Sequence, residues 1–197
     1  MILGLCGYKG SGKDTIADYL VKNHSFIKLS FADALKDMVC VLFSWDRELL
    51  QGSTDKSRDW REKEDIYWSK KLETKITPRY ILQKMGTEVV RNIHNDFWIK
   101  IVESKIDPKK NYVISDVRFL NEMAFIKKYS GKILWVLRDL PPFHTEIINS
   151  IKDGSYQIKN FPVHRSEWEF LLEEKKEVVN NNSDITKLLE TINKKLF

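Results

Sequence analysis

Cysteine is scarce, with only Cys6 and Cys40 in 197 residues, and the two form no metal-binding spacing. Cys6 lies inside an apolar run, which fits a buried thiol in a reducing compartment better than a disulfide. No apolar run approaches the ~18 residues that a membrane helix needs, so no membrane partner is expected. The opening stretch MILGLCGYKG lacks a basic n-region and a small-residue cleavage site, and a cytoplasmic location is expected. Repeats and low-complexity linkers are absent as well. The formal net charge is +5, a mildly basic balance that suits a protein handling anions or simply aids solubility. The lysines are scattered with no basic–aromatic stripe, so direct nucleic-acid binding is not expected. His144 and His164 have neither metal-ligand spacing nor a nucleophile beside them.

What is present is a globular composition, 42% hydrophobic, long enough for one sizeable core. ILGLC (2–6) is a short apolar run of the kind found in buried parallel strands. A glycine-rich loop and a helix follow it. FIKLSF, NYVISDV, KILWVLR and KEVVNNNSD supply further strand candidates. Helical spacing appears in ADALKDMVCVLF (32–43), FLNEMAFIKKY and SDITKLLETINKKL. Strands alternating with helices argue for a parallel, doubly wound α/β sheet in a single domain, 1–197. Two excursions interrupt the pattern. The densely charged stretch 46–77 reads as a solvated excursion, with Trp60, Tyr67 and Trp68 exposed as a candidate subunit interface, consistent with a homodimer. The polar stretch 138–165 reads as a lid, opened by Arg138.

The chemistry starts at GYKGSGKDT (7–15). Gly7, Gly10 and Gly12 permit backbone conformations that side chains resist, so successive N–H groups can wrap a phosphate at a helix N-terminus. Lys13 reaches the outer phosphates, and Thr15 can donate to an inner one. Asp14 stands where Ser or Thr usually binds magnesium. It either holds Mg2+, directly or through water, or faces an acceptor group; its structural alternative is a helix-start acid favoured by the macrodipole. In TPRYILQKMGTEVVRNI, Ile81, Leu82, Met85, Val89 and Ile93 form an apolar stripe. Arg79, Gln83, Thr87 and Arg91 recur at steps of four beside it, which reads equally as a ligand face or a solvated one. Gly86 within this helix implies a close neighbour, such as a base or sugar. Asp116, at the end of a buried strand, can orient Mg2+ or substrate. Arg118 can clamp a phosphate, and a local Asp–Arg pair is the structural alternative.

These blocks together resemble the deoxynucleoside monophosphate kinases of tailed bacteriophages and large DNA viruses. GYKGSGKDT, PRYILQKMGTEVVRN…DFW, VISDVRFLNEM and HRSE…VVNNNSD carry the likeness. It implies a P-loop nucleoside monophosphate kinase fold: a five-stranded parallel sheet flanked by helices, a monophosphate-binding region at about 44–94 and a lid at about 138–165. It also implies ATP as donor, Mg2+, deoxynucleoside monophosphates as acceptors and, for a virus, the host cytoplasm. By motif match, Gly10, Ser11, Gly12, Lys13, Asp14, Thr15, Arg138 and Asn181 serve ATP. Lys9, Asp14, Arg79, Gln83, Gly86, Thr87, Trp98, Asp116, Arg118 and Glu122 serve the acceptor. Lys13, Asp14, Asp116 and Arg118 are the expected catalytic group. The loop alone also resembles other P-loop kinases, including those of phosphomevalonate. Tyr80 departs from relatives that carry a second basic residue beside Arg79. A phosphomevalonate-type kinase and a nucleotide-binding regulatory or nucleic-acid-associated ATPase are the competing readings.

Overall fold

Leu3 and Leu5 are fully buried on one side of the first strand, while a Cβ at Gly4 would meet Ile126 on the other. A strand covered on both faces is what a parallel sheet requires. The computed structural model describes residues 1–157, 161–174 and 176–197. The chain divides into two compact units, Met1–Ser30 with Lys105–Phe197, and Phe31–Ser104. Residues 158–160 of the stretch read as a lid lie outside the described residues.

In the first unit, β1 (Ile2–Cys6), β2 (Phe26–Leu29), β3 (Asn111–Ile114), β4 (Lys132–Leu137) and β5 (Glu177–Asn180) form, among the described residues, one sheet in the order β2-β3-β1-β4-β5. Every pairing is parallel. The expected five-stranded parallel sheet flanked by helices is therefore what the chain forms. Helix α1 (Lys13–His24) contributes Ile16, Ala17 and Leu20 to the core. The last helix, Ile185–Leu196, adds Leu188 and Ile192 to the same cluster. The helix Leu120–Lys128 covers the opposite face through Ile126. The chain leaves β1 toward β2 and leaves β4 toward β5. Connections diverging from adjacent strands open a crevice at their carboxyl ends, where ligands bind in such sheets.

The stretch 46–77 is not the solvated excursion its charge suggested. In the second unit α2 (Asp33–Phe43) leads into α3 (Arg47–Gln51), α4 (Asp55–Glu62) and α5 (Ile66–Lys71). Asp46, Thr54 and Asp65 each cap the following helix with a side-chain oxygen. The aromatics supply the core that composition hid. Phe43 stacks on Trp45 at 4.4 Å, Trp68 meets Phe43 edge-on at 5.0 Å, and Trp60 meets Trp45 at 5.9 Å. Trp60 and Trp68 are thus partly buried, and only Tyr67 of the three is exposed, at 63%. Charged residues decorate the outside of a structure built around indoles.

The helix read through 77–93 is also interrupted. Thr77 caps α6 (Pro78–Gln83), with Pro78 at its start, where its missing N–H costs nothing. Lys84–Val89 is then a π-helical turn before α7 (Val90–Ile93). The wider turn advances the buried face by one residue. Ile81, Gly86 and Val90 are buried, whereas Val89 and Ile93, expected in the apolar stripe, are 43% and 72% exposed. The remaining helices are α8 (Phe97–Glu103) in this unit and α9 (Leu120–Lys128), α10 (His144–Lys152) and α11 (Ile185–Leu196) in the first.

Asp65 bears most of the polar connection in the aromatic cluster. Its carboxylate accepts from Trp45 Nε1 at 2.7 Å and from the Trp68 amide at 3.0 Å. Asp65→Ala should cost about 1–3 kcal/mol, since it orphans a half-buried donor and removes a cap. Urea denaturation checks this; an unchanged midpoint would detach the cluster's stability from the carboxylate.

Candidate active site

The loop between β1 and α1 is held from below by its neighbours in the sheet. Gly7 has φ 138°, and a Cβ there would stand 2.4 Å from the Val136 carbonyl oxygen of β4. Gly12 has φ 100°, and a Cβ there would meet Asn181 Nδ2 at 2.5 Å. Only glycine meets both demands at each position. Asn181, just past β5, donates from Nδ2 to the Ser11 carbonyl at 2.9 Å. Its own amide binds Leu137 O at 2.7 Å. Asn181 is therefore part of the loop's frame. Ser11 is buried, and Lys9, Gly10 and Thr15 are exposed.

Helix α1 begins at Lys13 with glycine as its cap, so the cap residue has no side chain to bond the first amides. Those amides and the helix dipole make a seat for an anion. The Lys13 ammonium curls over the loop and donates to Gly7 O at 2.8 Å, Tyr8 O at 2.7 Å and Ser11 Oγ at 3.3 Å. Burial, with the Arg118 charge adding to it, lowers the Lys13 pKa to about 8. Tyr8 is buried, and its hydroxyl lies 2.7 Å from His144 Nδ1 at the start of α10. Burial pushes the Tyr8 hydroxyl up and the His144 imidazole down. Both shifts favour neutral partners, so the bond joins an un-ionised phenol to an uncharged imidazole.

Asp14 touches a lysine that sequence reading did not select. Lys28 Nζ, on β2, lies 3.0 Å from Asp14 Oδ1 and 2.9 Å from Asp18 Oδ1. Ser115 Oγ donates to Asp14 Oδ1 at 3.0 Å. Burial raises the Asp14 pKa, but the Lys28 charge, hydrogen bonds from Lys28 and Ser115, and Lys13 outweigh it and hold the carboxyl low. Next to Ser115, Asp116 Oδ2 accepts from Ser30 Oγ at 2.7 Å. Lys28 and Ser30 had no motif to announce them, and Ser115 lies within VISDVRFLNEM without a role assigned to it. Their signal is positional, since all stand at or just past the carboxyl ends of sheet strands.

Arg118 is not in a simple pair with Asp116. Its Nη1 donates to Ser166 O at 2.8 Å and lies 3.3 Å from Glu167 Oε1. Burial opposes its charge, and Glu167, Asp116 and Glu122 more than compensate. Glu122 is buried, and its Oε2 accepts the Arg118 amide at 2.8 Å and the Phe119 amide at 3.1 Å. This is the N-terminal cap of α9, and it fixes the backbone that carries Arg118. Arg138 is exposed beyond β4, with Asp139 at 3.9 Å.

The second unit holds the other acceptor candidates. Arg79, Gln83 and Thr87 are half-buried. The close neighbour implied at Gly86 is Leu35 of α2, whose Cδ2 would lie 2.6 Å from an added Cβ. Trp98 is buried and donates from Nε1 to Gly86 O at 2.8 Å.

Among the described residues, no three His, Cys, Asp or Glu side chains gather as a metal cage. Mg2+ needs none, because it keeps waters and takes one or two carboxylates with substrate phosphates. Asp14 and Asp116, joined through neighbouring Ser115, fit that hard-oxygen role. No helix among the described residues is long and apolar enough to cross a membrane.

Residues 51–192 match a family model described as deoxynucleotide monophosphate kinase. A relative from Acanthamoeba polyphaga mimivirus, named as a putative deoxynucleotide monophosphate kinase, is 35% identical over 80% of this chain and 86% of its own length. Among solved structures, a gluconokinase from Sinorhizobium meliloti 1021 covers 96% of this chain and 87% of its own at 7% identity and TM-score 0.40. A shikimate kinase from Bacteroides thetaiotaomicron covers 98% and 95% at 11% identity and TM-score 0.43. Likenesses that weak add nothing to the strand order itself. The sequence match is of another order, and by it the chain belongs to the deoxynucleotide monophosphate kinase family.

Proposed function

We propose that the protein transfers the terminal phosphoryl group of ATP to a deoxynucleoside monophosphate, releasing ADP and a deoxynucleoside diphosphate. The observation that carries this reading is a pair of half-buried cations in one unit. Lys13 lies within the glycine loop, and Arg118 follows β3 close enough for its charge to lower the Lys13 pKa. Two cations that repel each other in the free protein suit a reaction that brings two phosphate groups together. Phosphoryl transfer asks the protein mainly for alignment and charge cancellation.

In this mechanism the amides of 10–15, including those of Ser11 and Thr15, bind the donor phosphates. Lys13 exchanges its loop carbonyls for the outer phosphate oxygens. An oxygen of the acceptor phosphate attacks the terminal phosphorus in line, and ADP leaves. Arg118 clamps the acceptor phosphate, with Glu122 holding its backbone. Lys9 and Arg138 offer further positive charge from exposed positions, to acceptor and donor respectively. Asn181 frames the loop and borders the adenine. Magnesium, held by Asp14 and Asp116 through its waters, would offset charge on the bridging phosphates. On the second unit, Arg79 is assigned to the acceptor phosphate, and Gln83 and Thr87 to base or sugar, on side-chain chemistry. Gly86 and Trp98 shape the turn that carries them. Residues 138–165 act as a lid that excludes water, the competing acceptor. A homodimer and the absence of a nucleic-acid partner complete the reading.

ADP release followed with each deoxy- and ribonucleoside monophosphate in turn tests the proposal. Turnover should depend on a deoxynucleoside monophosphate; ATP consumption indifferent to all of them would sink the kinase assignment. Lys13→Ala should lower the rate by well over tenfold, about 1.4 kcal/mol. Arg118→Ala should raise the acceptor KM, and an unchanged acceptor dependence would remove it from the site.

The Lys13 shift adds a pH prediction. Its lowered pKa means that the free enzyme loses the required proton as pH rises through about 8. The kcat/KM for ATP should fall over that range. Bound phosphates favour the charged form, so the corresponding limb in kcat should move to higher pH. A kcat/KM profile flat to about pH 9.5 would count against the lowered Lys13 pKa in the free enzyme.

A further inference from the structure

The ion-pair partner of Arg118 is a carboxylate with no role in the mechanism. Glu167 lies 3.3 Å from Arg118 Nη1, and its side chain is only 14% exposed. The segment around it is anchored independently. His164 Nδ1 accepts from the Ser166 amide at 3.2 Å and lies 2.8 Å from Ser166 Oγ. The Glu167 amide bonds to His164 O at 2.8 Å. Trp168 and Phe170 are buried beyond it. Glu169 accepts the Leu120 amide at 3.0 Å and pairs with Arg165. The turn at 164–169 is therefore stapled to the loop at 118–120 by contacts that do not involve the Glu167 carboxylate.

That carboxylate faces two cations. Its field also reaches Lys13 and Tyr8 in the glycine loop. Without it, the half-buried Arg118 guanidinium would keep the Ser166 carbonyl and the fields of Asp116 and Glu122, with no ion-pair partner of its own in place and a nearby ammonium of like sign. A buried charge deprived of its partner swings toward water or any other anion within reach. A guanidinium that must meet a phosphate in one orientation gains from being held in advance.

We propose that Glu167 is the positioning residue for Arg118, holding its guanidinium in the orientation that receives the acceptor phosphate. This rests on the assignment of Arg118 to the acceptor. Glu167 acts on binding of the acceptor, not on the transfer step. Its removal therefore changes acceptor KM more than kcat, and only while Arg118 is present.

The experiment is a double-mutant cycle with Glu167→Gln, Arg118→Ala and both, read as acceptor KM, ATP KM and kcat. Glu167→Gln should raise acceptor KM about tenfold and leave ATP KM and kcat within about twofold. It should add less than about twofold in the Arg118→Ala background. Glu167→Asp, which keeps the charge but withdraws it by one methylene, should fall between Gln and the native residue. An acceptor KM unmoved by Glu167→Gln, or effects that simply multiply, would overturn the proposal. If Arg118→Ala itself leaves acceptor KM unchanged, the fault lies in the Arg118 assignment. Circular dichroism reports folding of each variant. Should Glu167→Gln fail to fold, the cycle is run with Glu167→Asp, and an unchanged acceptor KM there overturns the proposal.

Discussion

The contact between Gly7 and the Val136 carbonyl is the constraint on which the first unit's chemistry depends. The loop can turn tightly out of β1 only if nothing occupies the 2.4 Å gap where a Cβ would stand. That gap exists because β4 pairs directly with β1. Strand order therefore sets the loop's shape as firmly as its glycines do. On its other side, Asn181 reaches the loop from past β5, 170 residues along the chain from Ser11. The result is a loop whose amides need no side-chain cap and whose lysine finds its own carbonyls. A phosphate entering such a loop replaces internal partners and meets amides already in place, which lowers the cost of ordering on binding.

Charge in the same unit is arranged in linked sets. Lys28 joins Asp14 to Asp18, Ser115 supports Asp14, and Ser30 supports Asp116. Arg118 answers to Glu167 and Ser166. Asp14 is thereby kept ionised although burial works against it. The choice first posed for Asp14, metal or acceptor, leaves out its nearest cation. Lys28 cancels the carboxylate's repulsion toward phosphates, which is the condition under which an acid can sit at the head of a phosphate loop.

The elements legible in the sequence were those with a local signature. ILGLC became β1 without a change of boundary, and SDITKLLETINKKL became α11 behind its Asp184 cap. The glycine loop was legible for the same reason, since its conformation leaves few residue choices. Two readings failed where the deciding partner was distant. The charge density of 46–77 concealed a core, because Phe43, Trp45, Trp60 and Trp68 are spread over three helices and a connecting loop and follow no period. The 77–93 helix was assigned a uniform step, and a π turn changes the step without changing composition. Lys28, and the role of Glu167 within HRSE, were invisible on other grounds: an acid without an assigned task and a lone strand lysine acquire meaning only from the cations and carboxylates the sheet brings beside them.

The π turn reorganises the reading of QKMGTE. In a regular α-helix, Gly86 would be a weakness costing about 1 kcal/mol against alanine. Here it admits the Leu35 side chain, and its carbonyl takes the Trp98 indole N–H. Turns of this kind leave the regular i→i−4 ladder and gather at functional sites. The motif therefore separates into two groups by what each residue touches. Gly86 and Trp98 make the turn, being buried and bonded to each other. Gln83 and Thr87 flank it, half-buried, and a wider turn rotates the second relative to the first. A regular helix would present the two amphiphilic groups along one line. The π turn offsets them, a displacement that the composition of the segment does not announce.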